Sequence, residues 1–306
     1  MTSLTPLEES TNADTIENPG RTCHAQGMAP LSYHLHGTAE SPVLVLLHAY
    51  PLDSRMWDGV ISHLHAEDPE LPILTVDAPG FGDSPEGPEV AKQVDGEEEP
   101  SLDTFAKALD ATLSELQIDE IVLAGLSLGG YVALAYAEAY PERIRGLGLL
   151  DTKAEADEEP ARKIRLTTAA KVLTEGTSAI EGSLNTVLGA TTLAQRPDVV
   201  EEVRKEILAA PPAAVAWIQK AMAARPSRLD VLERLHVPAV VLRGDEDSLS
   251  SAQSADAMAT ALRVAAPRLG GIGVVTLPGV GHMSANEGPE LVAGALADLY
   301  ARVAAS

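Results

Sequence analysis

One short pattern sits where an apolar run gives way to a helix-forming one. Ile121 to Ala124 are apolar and end at Gly125, and Tyr131 to Ala139 are helix formers that follow Gly130. Between them Gly125-Leu126-Ser127-Leu128-Gly129 reads G-x-S-x-G. A strand that turns abruptly into a helix crowds its own backbone at the turn. Small residues two before and two after the serine relieve that crowding. The serine hydroxyl then stands exposed at the carboxyl edge of a sheet. The next amide, Leu128 N–H, lies at a helix N-terminus, where backbone donors and the dipole favour a developing negative charge. Ser127 is therefore a candidate nucleophile, and the Leu128 amide a candidate oxyanion donor.

The rest of the chain supplies a frame for such a turn. Val43–Leu47 is a continuous apolar run, the mark of a strand buried on both faces. Leu74–Val76 reads the same way, and Ile144–Leu150, Val237–Leu242 and Gly273–Leu277 read as further strands. Leu31–His36 alternates apolar and polar, which suits an antiparallel edge strand. Helical patterns separate the strands: 101–116 with Ser101 as N-cap, 251–262, and 289–303. Alternating strands and helices predict an α/β fold, a mostly parallel sheet flanked by helices on both faces.

Between residues 152 and 235 the alternation stops. Helical segments near 158–174, 178–189, 197–209 and 211–224 follow one another, with prolines at helix starts. This stretch predicts an all-helical cap inserted into the sheet domain. The expected organisation is a flexible tail over 1–28, a core from 29–152 and 235–306, and the cap over 153–234. The polar stretch Glu86–Pro100 reads as a solvated surface loop.

Charge narrows the partners. The formal net charge is −23, which repels nucleic acid and anionic membranes alike. A small-molecule substrate is the partner expected, with the chain a monomer or homodimer. Cys23 is the single cysteine, so no disulfide forms within the chain. No secretory signal is visible, and no apolar run approaches the roughly 18 residues that span a bilayer. A cytoplasmic location fits these features. His34-Leu35-His36 and His63-Leu64-His65 lack a third ligand, so no metal is expected. Neither a P-loop nor a G-x-G-x-x-G occurs, and no cofactor is expected.

In open α/β sheets, sites gather beyond the carboxyl ends of the strands. The predicted strand ends carry His48, Asp77, Ser127, Asp151, Asp247 and His282. A neutral serine needs a neighbouring base, and the base needs an orienting acid. His282 follows the last strand. Asp247 follows the strand before it, with Asp245 and Glu246 beside it, and Asp151 ends the strand after Ser127. A second oxyanion donor belongs on the loop His48-Ala49-Tyr50-Pro51, where the Tyr50 amide is the candidate.

These residues resemble the α/β-hydrolase superfamily over residues 43–304. The match rests on His48-Ala49-Tyr50-Pro51, Asp77-Ala78-Pro79-Gly80-Phe81-Gly82-Asp83-Ser84, Gly125 to Gly130, Gly244-Asp245-Glu246-Asp247 and Gly281 to Glu287. Within it the chain is similar to capped carboxylesterases and 3-oxoadipate enol-lactonases. The resemblance implies a Ser127–His282–Asp247 triad, with Asp151 as the alternative acid. It departs from the family at Ala49, where His-Gly is usual, but the Tyr50 amide is retained. A serine at the elbow, rather than aspartate, implies attack on acyl carbons.

The expected activity is hydrolysis of small carboxylic esters or lactones through an acyl-enzyme. C–C bond hydrolysis or perhydrolysis by the same triad remains open, as does a receptor of this fold with little turnover. The cap is expected to roof a substrate pocket, with Trp217 and Met222 as apolar contacts and His48 on the pocket wall.

Overall fold

The structure, a computed structural model, describes residues 22–23, 29–38, 42–267 and 272–306. Its strands are β1 (Thr22–Cys23), β2 (Tyr33–His36), β3 (Val43–Leu47), β4 (Ile73–Val76), β5 (Ile121–Leu126), β6 (Ile144–Leu150), β7 (Ala239–Gly244) and β8 (Val274–Leu277). They form one sheet in the order β1-β2-β4-β3-β5-β6-β7-β8. All pairings from β4 to β8 are parallel, and β2 runs antiparallel to β4. The strands β3, β4 and β5 are buried along their whole length, as their apolar runs, broken only by Thr75 in β4, require. This is the α/β-hydrolase fold, with an inserted helical cap.

Register explains why the site forms. Leu47 pairs with Val76 and Gly125, Leu126 with Leu150, and Leu150 with Leu242. The carboxyl ends of five neighbouring strands are therefore level. The residues that follow them, His48, Asp77, Ser127, Asp151 and the loop to Asp247, share one edge of the sheet.

Two expectations need correction. Residues 86–100 are not all loop, because Gly87–Gln93 is helical with Val90 and Ala91 buried. Thr22–Cys23, expected in the tail, pair with β2, so β2 is not the outermost strand; residues 1–21 and 24–28 lie outside the described residues.

Among the described residues no strand lies between β6 and β7. The cap helices are Glu159–Glu175, Pro197–Ala209 and Pro212–Ala224, with short turns of helix at Thr177–Ser183, Leu184–Val187 and Ala190–Gln195. The cap is stitched to the loops of the sheet edge. The Val187 carbonyl accepts the His282 and Met283 amides at 3.0 and 3.1 Å. Gly189 N–H donates to Glu287 Oε2 at 2.8 Å, and Thr191 donates twice to the Glu246 carboxylate. A β-carbon on Gly281 would overlap the Gly189 backbone, so only glycine permits this close approach. Among the described residues no single helix is long and apolar enough to cross a membrane.

Candidate active site

Ser127 has φ +53° and ψ −106°, a conformation costly for a residue with a β-carbon. Its surroundings hold it there. Its N–H donates to the Leu150 carbonyl at 2.9 Å, and its own carbonyl accepts from Thr152 Oγ1 at 2.8 Å. Beneath the turn, a β-carbon on Gly125 would overlap the Gly129 carbonyl, and one on Gly129 would overlap that of Leu47. The strained serine and its two glycines are one device: the backbone folds tightly so that the hydroxyl stands clear.

His282 Nε2 lies 2.8 Å from Ser127 Oγ. Its Nδ1 lies 3.0 Å from both oxygens of Asp247. An acceptor-only carboxylate fixes the tautomer: Nδ1–H donates to Asp247, and Nε2 is left to accept from the serine hydroxyl. Asp247 is fixed in turn by the Leu249 and Ser250 amides at 2.8 and 3.2 Å and by the Ser250 hydroxyl. Burial pushes the Asp247 carboxyl up, but hydrogen bonds from His282, Ser250 and Leu249, with the attraction of His282, hold it below the usual carboxylate range. For His282, burial favours the neutral ring. Asp247 outweighs it, helped by Asp151 and Glu287, so the imidazole sits above its ordinary value.

Asp151 occupies a different place. It is fully buried, at φ +45°, and its Oδ1 accepts the Gly244 N–H at 2.8 Å. Its Oδ2 lies near the Ser284 hydroxyl, in a contact short of a well-formed hydrogen bond. Burial pushes its pKa up to about 7, against the attraction of His282 and with the repulsion of Asp247. The structure thus puts Asp247, not Asp151, on the imidazole.

The two amides expected to hold an oxyanion are both open. Leu128 is the first residue of the helix Leu128–Ala139, so its N–H has no intrahelical acceptor. No acceptor among the described residues takes the Tyr50 N–H. His48 is not the pocket wall expected of it. It is buried, its Nδ1–H donates to the Ala49 carbonyl at 3.0 Å, and its Nε2 accepts the Ala78 N–H at 2.8 Å. One neutral tautomer satisfies both bonds, so His48 braces the loop carrying Tyr50 against the loop after β4.

A model of the Alpha/beta hydrolase family matches residues 44–295. The chain belongs to that family. An esterase from Thermogutta terrifontis, solved with malate bound, superposes with TM-score 0.79 at 32% identity, covering 89% of this chain and 93% of that one. An enol-lactonase from Burkholderia xenovorans LB400 shares the fold, with TM-score 0.75, 22% identity, and coverage of 89% and 96%. In sequence, a pimeloyl-[acyl-carrier protein] methyl ester esterase of Aeromonas hydrophila subsp. hydrophila is 34% identical over 117 residues. That match spans 38% of this chain and 40% of that protein.

The cap side of this alpha/beta hydrolase departs from expectation. Trp217 packs against Gly87, where any β-carbon would strike the indole, so it anchors the cap to the helix Gly87–Gln93. Met222 is buried with its sulfur 3.3 Å from Arg165 Nη1. The feature that sequence reading missed is Asp157. Its carboxylate is almost inaccessible and accepts from Arg165 at 2.5 Å, from Arg225 through both oxygens at 2.9 Å, and from Lys153 at 2.9 Å. Burial pushes the Asp157 carboxyl up, but these cations carry it well below the usual range. Lys153 and Asp157 lie in the loop before the cap helix, within a stretch Leu149–Asp157 that resembles the family, but nothing local in it assigns Asp157 a role.

Proposed function

We propose that the chain is a serine hydrolase of small carboxylic esters or lactones that works through an acyl-enzyme. The observation that carries this reading is the unbroken relay Ser127 Oγ–His282 Nε2 at 2.8 Å and His282 Nδ1–Asp247 at 3.0 Å. Ser127 Oγ attacks the acyl carbon as its proton passes to His282 Nε2. The charge that collects on the carbonyl oxygen is held by the Leu128 and Tyr50 amides. Collapse expels the alcohol, which takes the proton from His282. Water then attacks the acyl carbon, its proton again passing to Nε2, and the acid leaves from Ser127. Asp247 keeps the imidazole in the productive tautomer throughout.

The 32%-identical esterase, matched over nearly the whole chain, supports an ester substrate. The test is turnover of p-nitrophenyl acetate and butyrate. Wild type should pass through many cycles, and Ser127→Ala should be inactive. A wild type that stalls after one cycle would favour a receptor, and an active Ser127→Ala would exclude this mechanism.

A further inference from the structure

The cationic cluster of the cap stands at the loops on either side of Ser127. Sheet order places β5 between β3 and β6. Tyr50 follows β3, Ser127 follows β5, and Lys153 to Asp157 follow β6. Arg165 is bonded to Asp157 and stands within electrostatic reach of Tyr50. A group that reaches the loops after both β3 and β6 crosses above the strand end between them. Two further contacts tie the cluster to the same spot. Arg225 stacks 3.9 Å over the ring of Tyr131, on the first turn after Ser127. Thr152, next to Lys153, holds the Ser127 carbonyl.

The cluster is not neutral. Lys153, Arg165 and Arg225 surround one carboxylate, Asp157. Glu155 lies in the same loop, with Oε2 buried and making no hydrogen bond among the described residues. Counting both acids as ionised, a positive charge is left over, in a chain whose net charge is −23. The three cations are not alike. Arg225 is nearly inaccessible and doubly bonded to Asp157. Arg165 spends Nε on Asp157, and among the described residues its Nη1 meets the Met222 sulfur at 3.3 Å and Gln219 Oε1 at 3.4 Å and nothing else. Both are weak partners for a guanidinium. The Tyr50 hydroxyl is buried and its contact with the Gln219 side chain is loose, short of a well-formed hydrogen bond, so the O–H can be better satisfied by a stronger acceptor. A buried hydroxyl without a good partner costs stability unless a ligand completes it.

We propose that Arg165 and the Tyr50 hydroxyl form an anion subsite above Ser127, so that the substrate is an ester or lactone carrying a carboxylate a few bonds from the scissile carbonyl. The inference rests on the hydrolase reading of Ser127. A carboxylate there would take the under-used Nη1 donors and the Tyr50 O–H, and would neutralise the leftover charge. Asp157 acts as the anchor that keeps Arg165 extended over the site, with Lys153 and Arg225 compensating its buried charge.

The test compares monomethyl glutarate, with its carboxylate on the acyl side, and 4-acetoxybutyrate, with its carboxylate on the alcohol side, against methyl pentanoate and butyl acetate. In wild type, kcat/KM for one of the anionic esters should exceed that of its neutral counterpart by about ten- to a hundredfold, the range for a hydrogen-bonded ion pair. Arg165→Gln should collapse that ratio toward one, and Tyr50→Phe should reduce it. Glutarate should compete with neutral ester in wild type and at least about tenfold more weakly in Arg165→Gln. Equal rates for anionic and neutral esters in wild type, or an unchanged ratio and unchanged glutarate inhibition in Arg165→Gln, would overturn the subsite. Should wild type hydrolyse none of the four, the hydrolase reading fails instead. Calorimetry of glutarate then decides the subsite alone: binding lost in Arg165→Gln supports it, and equal binding or none in wild type refutes it.

Discussion

Asp151 Oδ1 accepts the Gly244 amide at 2.8 Å, which ties the end of β6 to the turn that carries Asp247. Two buried carboxylates therefore flank His282, and their surroundings drive them apart. Asp247 is held ionised by donors, and Asp151 is pushed up to about 7 by burial. The consequence for catalysis is unequal. Asp247→Asn leaves the imidazole without its orienting acceptor and should cut kcat on p-nitrophenyl butyrate by on the order of 10³–10⁴-fold. Asp151→Asn keeps the acceptor for Gly244 and should cost no more than about tenfold. Steady-state kinetics of the two variants decide it, and the reverse ranking would make Asp151 the acid.

The same pair sets a pH dependence. His282 must be neutral to take the serine proton, so kcat/KM rises with pH as the imidazolium loses its proton. His282 sits above the ordinary imidazole value of 6.5, so the acid limb should lie above that pH. The negative charge of Asp151 favours the imidazolium. Removing that charge in Asp151→Asn should therefore move the acid limb to lower pH. A pH profile of kcat/KM for both proteins checks the direction. A shift to higher pH would contradict the coupling.

A half-buried acid on the cap bears on stability. Glu206, on the cap helix Pro197–Ala209, lines a cleft of about 400 Å³ with Asp53, Arg55 and Asp77. Burial, with repulsion from Asp53, pushes its pKa up to about 7 from 4.5. A carboxyl raised in the folded state binds a proton that the unfolded chain has lost. Its contribution to stability therefore falls as pH rises from the unfolded to the folded value. Glu206→Gln should stabilise the protein at pH above about 7, by about 1–3 kcal/mol, and change little below about pH 4.5. Urea midpoints at the two extremes measure it.

The elbow makes a steric prediction. A β-carbon on Gly129 would overlap the Leu47 carbonyl, a backbone atom that cannot rotate away. Gly129→Ala should destabilise by about 1–3 kcal/mol and displace Ser127 from His282. Thermal melts and activity should fall together. A fully stable variant with lost activity would show that only the hydroxyl, not the packing, had moved.

The sheet was legible because strands buried on both faces are written as unbroken apolar runs. Val43–Leu47 has the same bounds in sequence and structure. Position at the strand ends also made Ser127, His282 and Asp247 candidates, with Asp151, Asp245 and Glu246 left as rivals for the acid until the fold set Asp247 against the imidazole. The helix Gly87–Gln93 was not legible, because only Val90 and Ala91 face inward among polar neighbours. The roles of Trp217 and Met222 depend on how the cap settles, which periodicity does not encode. Asp157 and Arg165 carry no motif that marks them, for the same reason. Their meaning comes from Arg225, distant in sequence, meeting the same carboxylate.

The most direct test of the mechanism is the covalent intermediate. Wild type is quenched in acid during p-nitrophenyl butyrate turnover, digested, and its peptides are weighed. The expected result is a single butyryl group on the peptide containing Ser127, appearing before steady state and absent from Ser127→Ala. Sustained turnover with no acylated peptide, or with the acyl group on another residue, would contradict it.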